Sequence, residues 1–380
     1  MSIWRQTNIL NLLPNRISNS ASHRLFHFYR IRRSRPSTNF TSASKRSQVL
    51  LQNRIINPRI SVTTRRQDRS FSTSKTMAAP PVTNLTDAVV AAMKTLFPEE
   101  LADKAWDNTG LLLDQAPLPP SSNPEKGFGG TVLLTNDLTS AVVDEALEEG
   151  AKMIVCYHPV IFRPLKSLTT KDPMQTLLLR LVAERISVYC PHTAMDAASG
   201  GLNDWLCDIL LDGEHQVKRT VVQPISRPLP EGHQGTGYGR SFELAHPTTL
   251  QTLLKRLSIG VGDQRYIMVA LPPALRDLTK THEISKVAVC AGSGSDVLRD
   301  TDAQVLVTGE MAHHYALRHT QLGQIVVTVF HSNSERKYLE TRLKPMLEVE
   351  LETTLYGDTR VIVSKADRDP FEIIDVSGLA

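Results

Sequence analysis

Two hydrophobic rhythms alternate along the chain from about residue 85 onward. Short runs rich in Val, Ile and Leu read as strands: residues 111–113, 131–135, 153–156, 186–190, 266–271, 287–294, 303–307, 326–330 and 361–363. Between them lie segments whose apolar residues recur every three or four positions, the spacing of a helix with one buried face. These cover residues 85–97 (stopped by Pro98), 140–150, 172–185, 201–211, 248–257, a stretch from Asp296, one carrying His313 and His314, and one from Ser334 through Leu343. Such β/α alternation predicts an α/β fold of mostly parallel, mixed sheets flanked by helices. Residues 212–246 break the rhythm with prolines, basic residues and Gly235-Thr236-Gly237-Tyr238-Gly239-Arg240. No strand precedes that glycine run and no helix follows it, which excludes a dinucleotide fingerprint and favours a hairpin or bulged strand. The segments on either side, 77–211 and 247–380, share one rhythm without a strict repeat, and 212–246 connects them. Residues 117–130, rich in Pro, Ser and Gly, read as a surface excursion.

Charge changes the picture at the N-terminus. The 380 residues carry a formal net charge of +4, yet Asp68 is the only acid within residues 1–75, against a background of arginine, serine and threonine. That is the composition of a mitochondrial transit peptide over residues 1–76, with Arg69-Ser70-Phe71-Ser72 resembling a matrix-protease cleavage site. The competing reading is a disordered basic leader that binds nucleic acid or acidic partners. The expected location is the mitochondrion, or the cytoplasm and nucleus if translation starts at Met77. Residues 77–380 are net acidic, which argues against direct nucleic-acid binding, and long enough to bury a large core. Cys156, Cys190, Cys207 and Cys290 show no CxxC spacing and no secretory context, so they read as reduced thiols. No apolar run reaches about 18 residues, so no membrane span is expected.

Candidate chemistry gathers at three strand ends. Met153-Ile154-Val155-Cys156-Tyr157 leads to His158, Val188-Tyr189-Cys190-Pro191 leads to His192 and Asp196, and Val326-Val327-Thr328-Val329-Phe330 leads to His331 and Glu335. Equivalent ends of a parallel sheet lie on one edge, where open α/β proteins keep their ligands. His158, Asp196, His331 and Glu335 meeting there would supply two imidazoles and two carboxylates, a donor set for a hydrolytic divalent metal. Plainer readings exist. Ser332 and Glu335 have capping-box spacing. A lone strand-end histidine is usually only hydrogen-bonded, Trp106 reads as core, and Asp107-Asn108 reads as a turn. Gly292-Ser293-Gly294 either offers backbone N–H groups to an anion or makes a tight connection. His313 and His314, adjacent on a helix, are expected to point apart and are left out of the ligand set.

Several of these stretches together resemble successive signatures of the NGG-interacting-factor-like family, whose bacterial members are labelled GTP cyclohydrolase type-two homologues. The stretches are Trp106-Asp107-Asn108-Thr109-Gly110-Leu111-Leu112, Tyr157-His158-Pro159, His192-Thr193-Ala194-Met195-Asp196-Ala197-Ala198 and Gly200-Gly201-Leu202-Asn203-Asp204. Thr308-Gly309-Glu310-Met311-Ala312-His313-His314 and His331-Ser332-Asn333-Ser334-Glu335-Arg336 complete the set. The resemblance implies an α/β subunit of a ring-shaped homohexamer in the compact form, without the inserted domain of longer members. It also implies up to two divalent ions per subunit (Zn, Mn, Fe or Mg), with His158 and Asp196 on one, His331 on the other and Glu335 bridging. His192 and Glu310 would then be proton-transfer or ligand-supporting residues. Where bacterial members have two consecutive histidines, this chain has Tyr157-His158, and a neutral phenol is a weak ligand. The activity implied is metal-dependent hydrolysis of a nucleotide or related phosphorylated small molecule. The alternatives are an interaction protein with a structural metal, for instance a transcription-related partner, and a metal-handling or chaperone role.

Overall fold

Capping side chains and punctuating residues set the helices. In the computed structural model, which describes Val82 and residues 84–115, 129–214, 217–277, 282–353 and 359–378, α1 (Leu85–Leu96) begins at Asn84, whose side chain accepts the Asp87 N–H. It ends ahead of Pro98. The leader at 1–76 and nearly all of the 117–130 excursion lie outside the described residues. Strands β1 (Gly110–Leu113) and β2 (Thr131–Thr135) precede α2 (Ser140–Glu148), which Thr139 caps. Then come β3 (Ala151–Cys156), α3 (Pro173–Ala183, capped by Asp172 with proline in its first turn), β4 (Ser187–Cys190), α4 (His192–Ala197) and α5 (Leu202–Leu211). The 212–246 stretch does form a hairpin: β5 (Arg219–Pro224) pairs antiparallel with β6 (Gly237–Thr249). After α6 (Leu250–Gly260) and β7 (Met268–Ala270) come β8 (Glu283–Ser293), β9 (Val305–Glu310), α7 (His313–Gln321) and β10 (Ile325–Thr328). A helical run follows: a short turn at Ser332–Ser334, α8 (Arg336–Tyr338), a π turn at Leu339–Leu343, and α9 (Lys344–Glu352); β11 (Arg360–Val363) is last. The helix expected from Asp296 is a series of turns instead.

The strands form two mixed sheets, which is the expected class. The first has the order β1-β4-β3-β2-β11, parallel except at β1, and the second has the order β5-β6-β8-β9-β10-β7, parallel only through β8, β9 and β10. Strand alternation explains the layering. Met153 and Val155 of β3 face a central core shared with α1 and α5, while Ile154 and Cys156 face a second cluster under α2 and α3. In β8, Val287 and Val289 join that same central core, and Ala288 and Cys290 face a third cluster with Leu306 and Val326. Both sheets therefore share one helical layer, and α5 is buried along nearly its whole length. Strands covered on both faces read as unbroken apolar runs, and each fully buried Leu or Val stabilises by about 1.5–3 kcal/mol. No helix among the described residues is long and apolar enough to cross a membrane. All four cysteines are free and buried, and burial holds each thiol protonated.

Candidate metal centre

The strand-end logic works through two sheets rather than along one edge. His158 follows β3 of the first sheet, and His331 and Glu335 follow β10 of the second. The C-terminal ends of the two parallel strand sets face each other across a cleft of about 670 Å³ lined by His158, His192, Asp196, His331 and Glu335 among others. There the ligand atoms of His158, His331 and Glu335 lie within 4.8 Å of one another. His331 Nε2 is 3.4 Å from Glu335 Oε1, and His158 Nε2 is 3.6 Å from Glu335 Oε2.

Each imidazole is fixed from behind. His158 Nδ1 is 2.8 Å from Asp137 Oδ1, and His331 Nδ1 is 3.1 Å from Glu310 Oε1. A carboxylate on Nδ1 sets the tautomer that leaves Nε2 as a ligand, the usual support of a metal-binding histidine. Glu335, 1% exposed, receives a 2.9 Å hydrogen bond on Oε2 from the Asn136 amide, while its Oε1 is buried with no hydrogen-bond partner. Burial pushes the Glu335 carboxyl well above its ordinary range. Asp196 and Asp137 add to that rise, and the Asn136 hydrogen bond and Arg336 oppose it. A buried carboxyl group with an orphaned oxygen and two imidazoles facing it is a donor set that a cation would satisfy. Two histidines and a carboxylate suit Zn, Mn, Fe and related divalent ions. The donor set fits the metal that the resemblance implies.

Asp196 lines the same cleft but stands outside that triad. Its Oδ1 accepts a 2.7 Å hydrogen bond from the Tyr157 hydroxyl, and burial raises its pKa to about 6 against the pull of His192 and Tyr157. Burial pushes the Tyr157 phenol well above its ordinary range, so it is neutral. His192 makes a dyad: its Nδ1 is 2.6 Å from Asp107 Oδ1. Burial alone would raise Asp107, but hydrogen bonds from His192, Thr193 and the Asn108 N–H hold it below its ordinary range. His192 (φ +28°) and Phe330 (φ +68°), next to His331, both hold left-handed backbone that L-residues avoid, strain of the kind that gathers at functional sites.

Several simpler readings change. Ser332 does not cap Glu335; its hydroxyl reaches Asp369, and Glu335 is spent on the centre. The turn at Gly292 and Gly294 is no anion cradle, because its N–H groups donate to Ser334 Oγ and Thr308 Oγ1. Trp106 is 53% exposed at the cleft mouth, not core. The rings of His313 and His314 do not point apart; they meet edge to face with centroids 5.3 Å apart, and neither lines the cleft. Asp107, Asn136 and Asp137 were missed as functional residues. The signal was register: β2 lies beside β3 with Thr135 opposite Cys156, so Asn136-Asp137 must emerge next to Tyr157-His158.

With this geometry in view, the comparisons are consistent. The description Duf34/NIF3 (NGG1p interacting factor 3) matches residues 84–370. "Protein NIF3 homolog" of Schizosaccharomyces pombe is 41% identical over 291 residues, covering 76% of this chain and 97% of that protein. "NGG1-interacting factor 3" of Saccharomyces cerevisiae is 37% identical, covering 76% and 96% respectively. Among solved structures, a Bacillus cereus protein related to NIF3 matches with TM-score 0.59 at 20% identity over 75% of this chain and 98% of that one. Reduced HcgD from Methanocaldococcus jannaschii matches with TM-score 0.54 at 21% identity over 73% and 96%. The family match and the sequence relatives together settle membership, and the structural likenesses bear on the fold: the chain belongs to the Duf34/NIF3 family.

Proposed function

We propose that this chain is a metal-dependent hydrolase of a nucleotide-like small molecule, with one divalent ion held by His158, His331 and Glu335. The observation that carries the reading is the convergence of two carboxylate-fixed imidazoles on a buried glutamate with an unpaired oxygen. When bound, the ion supplies Lewis acidity toward a carbonyl or phosphoryl oxygen and makes water a stronger acid. The side chains do the rest. Asp137 and Glu310 hold the imidazoles in their ligating tautomer. His192, with Nδ1 taken by an ionised Asp107, has Nε2 left to accept a proton and return it to a leaving group. Glu310 thus acts through His331 rather than as the proton carrier.

The test uses the purified full chain. Metal content is measured, then nucleotides are screened for hydrolysis with and without chelator. Turnover that needs the ion and disappears in His331→Ala and Glu335→Ala supports the reading. A fully loaded protein with no turnover on any nucleotide refutes the catalytic part.

A second reading concerns partners. The budding-yeast relative is named as an interacting factor, and the C-terminal segment here exposes Phe371, Ile373, Ile374 and Val376. Exposed apolar residues so close together mark a contact surface, which we assign to self-association into the homo-oligomer that the resemblance implies. Native mass spectrometry of the full chain, with Phe371→Ser and Ile374→Ser expected to shift it toward monomer, decides this.

A further inference from the structure

From the mouth of the cleft to its floor, one wall is made of rings in contact. Phe162 and Trp106 stand at the entrance, 46% and 53% exposed, with centroids 6.0 Å apart and planes tilted by 53°. Trp106 meets His192 edge to face at 5.7 Å, His192 meets His158 at 5.5 Å, and His158 meets His331 at 5.2 Å. The indole N–H of Trp106 is already donated to Asp103 at 3.0 Å, so what the indole offers a ligand is its faces. Two large aromatics left half in water are costly for a surface and useful for a ligand site.

The polar lining is as telling. Among the described residues around the cleft there is no lysine or arginine, while Asp103 and Asp296 add negative charge and Gln223 and Ser293 add neutral polar groups. Polyphosphate recognition relies on Arg and Lys donors, and this wall supplies none. A volume of about 670 Å³ is in the range of small-molecule sites.

We infer that the cleft selects its ligand by a planar heteroaromatic ring with N–H donors, uncharged or cationic, laid along this ring wall, and not by a phosphate chain. The inference rests on the cleft being the reaction site, and it names the part of the substrate that the protein reads. Carboxylates accept from the ring's N–H groups, and Trp106 and Phe162 supply the stacking surface. The reacting bond is thereby directed toward His158 and His331.

Equilibrium dialysis on the full chain tests it, both zinc-loaded and chelator-stripped. The probes are the four ribonucleosides, a pteridine, GTP and inorganic tripolyphosphate. At least one uncharged ring compound is expected to bind both forms. In the stripped form GTP binds no more than about tenfold more tightly than guanosine, and tripolyphosphate displaces neither. Loss of one base-stacking contact corresponds to roughly 5- to 150-fold in affinity. Trp106→Ala should weaken ring binding by that factor, Phe162→Ala should weaken it too, and Trp106→Phe should recover most of it, with circular dichroism and zinc content unchanged in all three. Ring binding that persists in a protein unable to take up zinc would support this inference while refuting the metal centre. Failure of every ring compound to bind, displacement by tripolyphosphate, or wild-type ring affinity in Trp106→Ala would each overturn it.

Discussion

Gly292 offers the sharpest test of the metal centre, because it touches the site without belonging to the donor set. It ends the cleft side of β8 at φ +61°, and a Cβ added there would stand 2.6 Å from Glu335 Oε1 and 3.1 Å from His331 Nε2. Ordinary contact begins at 3.4 Å, so in Gly292→Ala the glutamate must retreat by about 0.8 Å. It has nowhere to go: Glu335 is 1% exposed and its other oxygen is tied to Asn136 at 2.9 Å. Metal sites tolerate about ±0.2 Å in ligand position, and loss of a supporting contact costs roughly 10–100-fold in affinity. Gly292→Ala should lose at least that much, read by competition with a chromogenic zinc chelator. Left-handed backbone at alanine also costs about 1–2 kcal/mol of stability. Gly150→Ala isolates that cost, since Gly150 has φ +64° with nothing within 4 Å of the added Cβ. Both variants should melt lower, and only Gly292→Ala should lose metal. Wild-type zinc affinity in Gly292→Ala would mean that Glu335 and His331 do not form the site.

Three further outcomes follow from other contacts. Tyr157 now holds Asp196 at 2.7 Å; Tyr157→His should raise zinc from one to two ions per chain by elemental analysis, Tyr157→Phe should leave one, and two in the wild type would refute the single-ion centre. Arg240, 4% exposed, bonds Asp204 and the carbonyls of Ala197, Ala198 and Gly237, tying the hairpin to the α4–α5 corner. Arg240→Ala removes one of the two guanidinium partners of Asp204 (Arg219 and the Gly200 N–H remain) and leaves those carbonyls without this donor. It should cost about 2–3 kcal/mol in urea unfolding, a loss under about 1 kcal/mol counting against that role. Glu145 accepts from the Ser364 hydroxyl and the N–H groups of Lys365 and Ala366, which outweigh burial and lower its pKa from 4.5. Its contribution is therefore complete above about pH 4.5 and fades as pH falls through the lower folded value; Glu145→Gln should be about 1 kcal/mol less stable at neutral pH and lose less stability on acidification, and parallel curves would refute this.

What could be read from the residues followed burial. Strands such as β3, β4 and β10 are covered on both faces, so their sequences are unbroken apolar runs that no other element mimics at that length. The three strand-end histidines were legible for the same reason: each sits where such a run stops. The helix expected from Asp296 failed because, after Val297 and Leu298, the residues Arg299-Asp300-Thr301-Asp302 supply no second apolar turn, and aspartates favour local turns. Sheet assignment was beyond reach of periodicity. Nothing in 360–363 says that β11 pairs with β2 of the first sheet, and nothing in β6 says that it pairs with β8. Periodicity likewise carries Asp196 to the cleft without fixing its contact there: its Oδ1 accepts from the Tyr157 hydroxyl, while the ligand atoms of His158, His331 and Glu335 lie nearest one another. Asn136, Asp137 and Asp107 look like ordinary turn residues, and only the pairing of neighbouring strands gives them their task.

Because the donors come from both sheets, binding an ion must also stabilise their junction. His158 rides on β3 of the first sheet and His331 with Glu335 on the segment after β10 of the second, and without an ion the contact there includes a buried carboxylate with one oxygen unpaired. A ligand that binds the folded chain alone stabilises it by RT ln(1 + [L]/Kd), about 2.7 kcal/mol at one hundred times Kd. For about 300 folded residues that corresponds to a rise in melting temperature of about 4 °C. Calorimetry of the full chain against free zinc should show a midpoint climbing with the logarithm of concentration, abolished in Glu335→Ala. Glu335→Gln is the informative comparison. It keeps the shape and cannot ionise, so without metal it avoids the cost of folding an acid that burial drives to its neutral form; it should be as stable as the wild type or more so, and it should gain little on adding zinc. If the wild type and Glu335→Gln respond to zinc alike, the ion is bound elsewhere, and the two sheets meet for reasons unrelated to it.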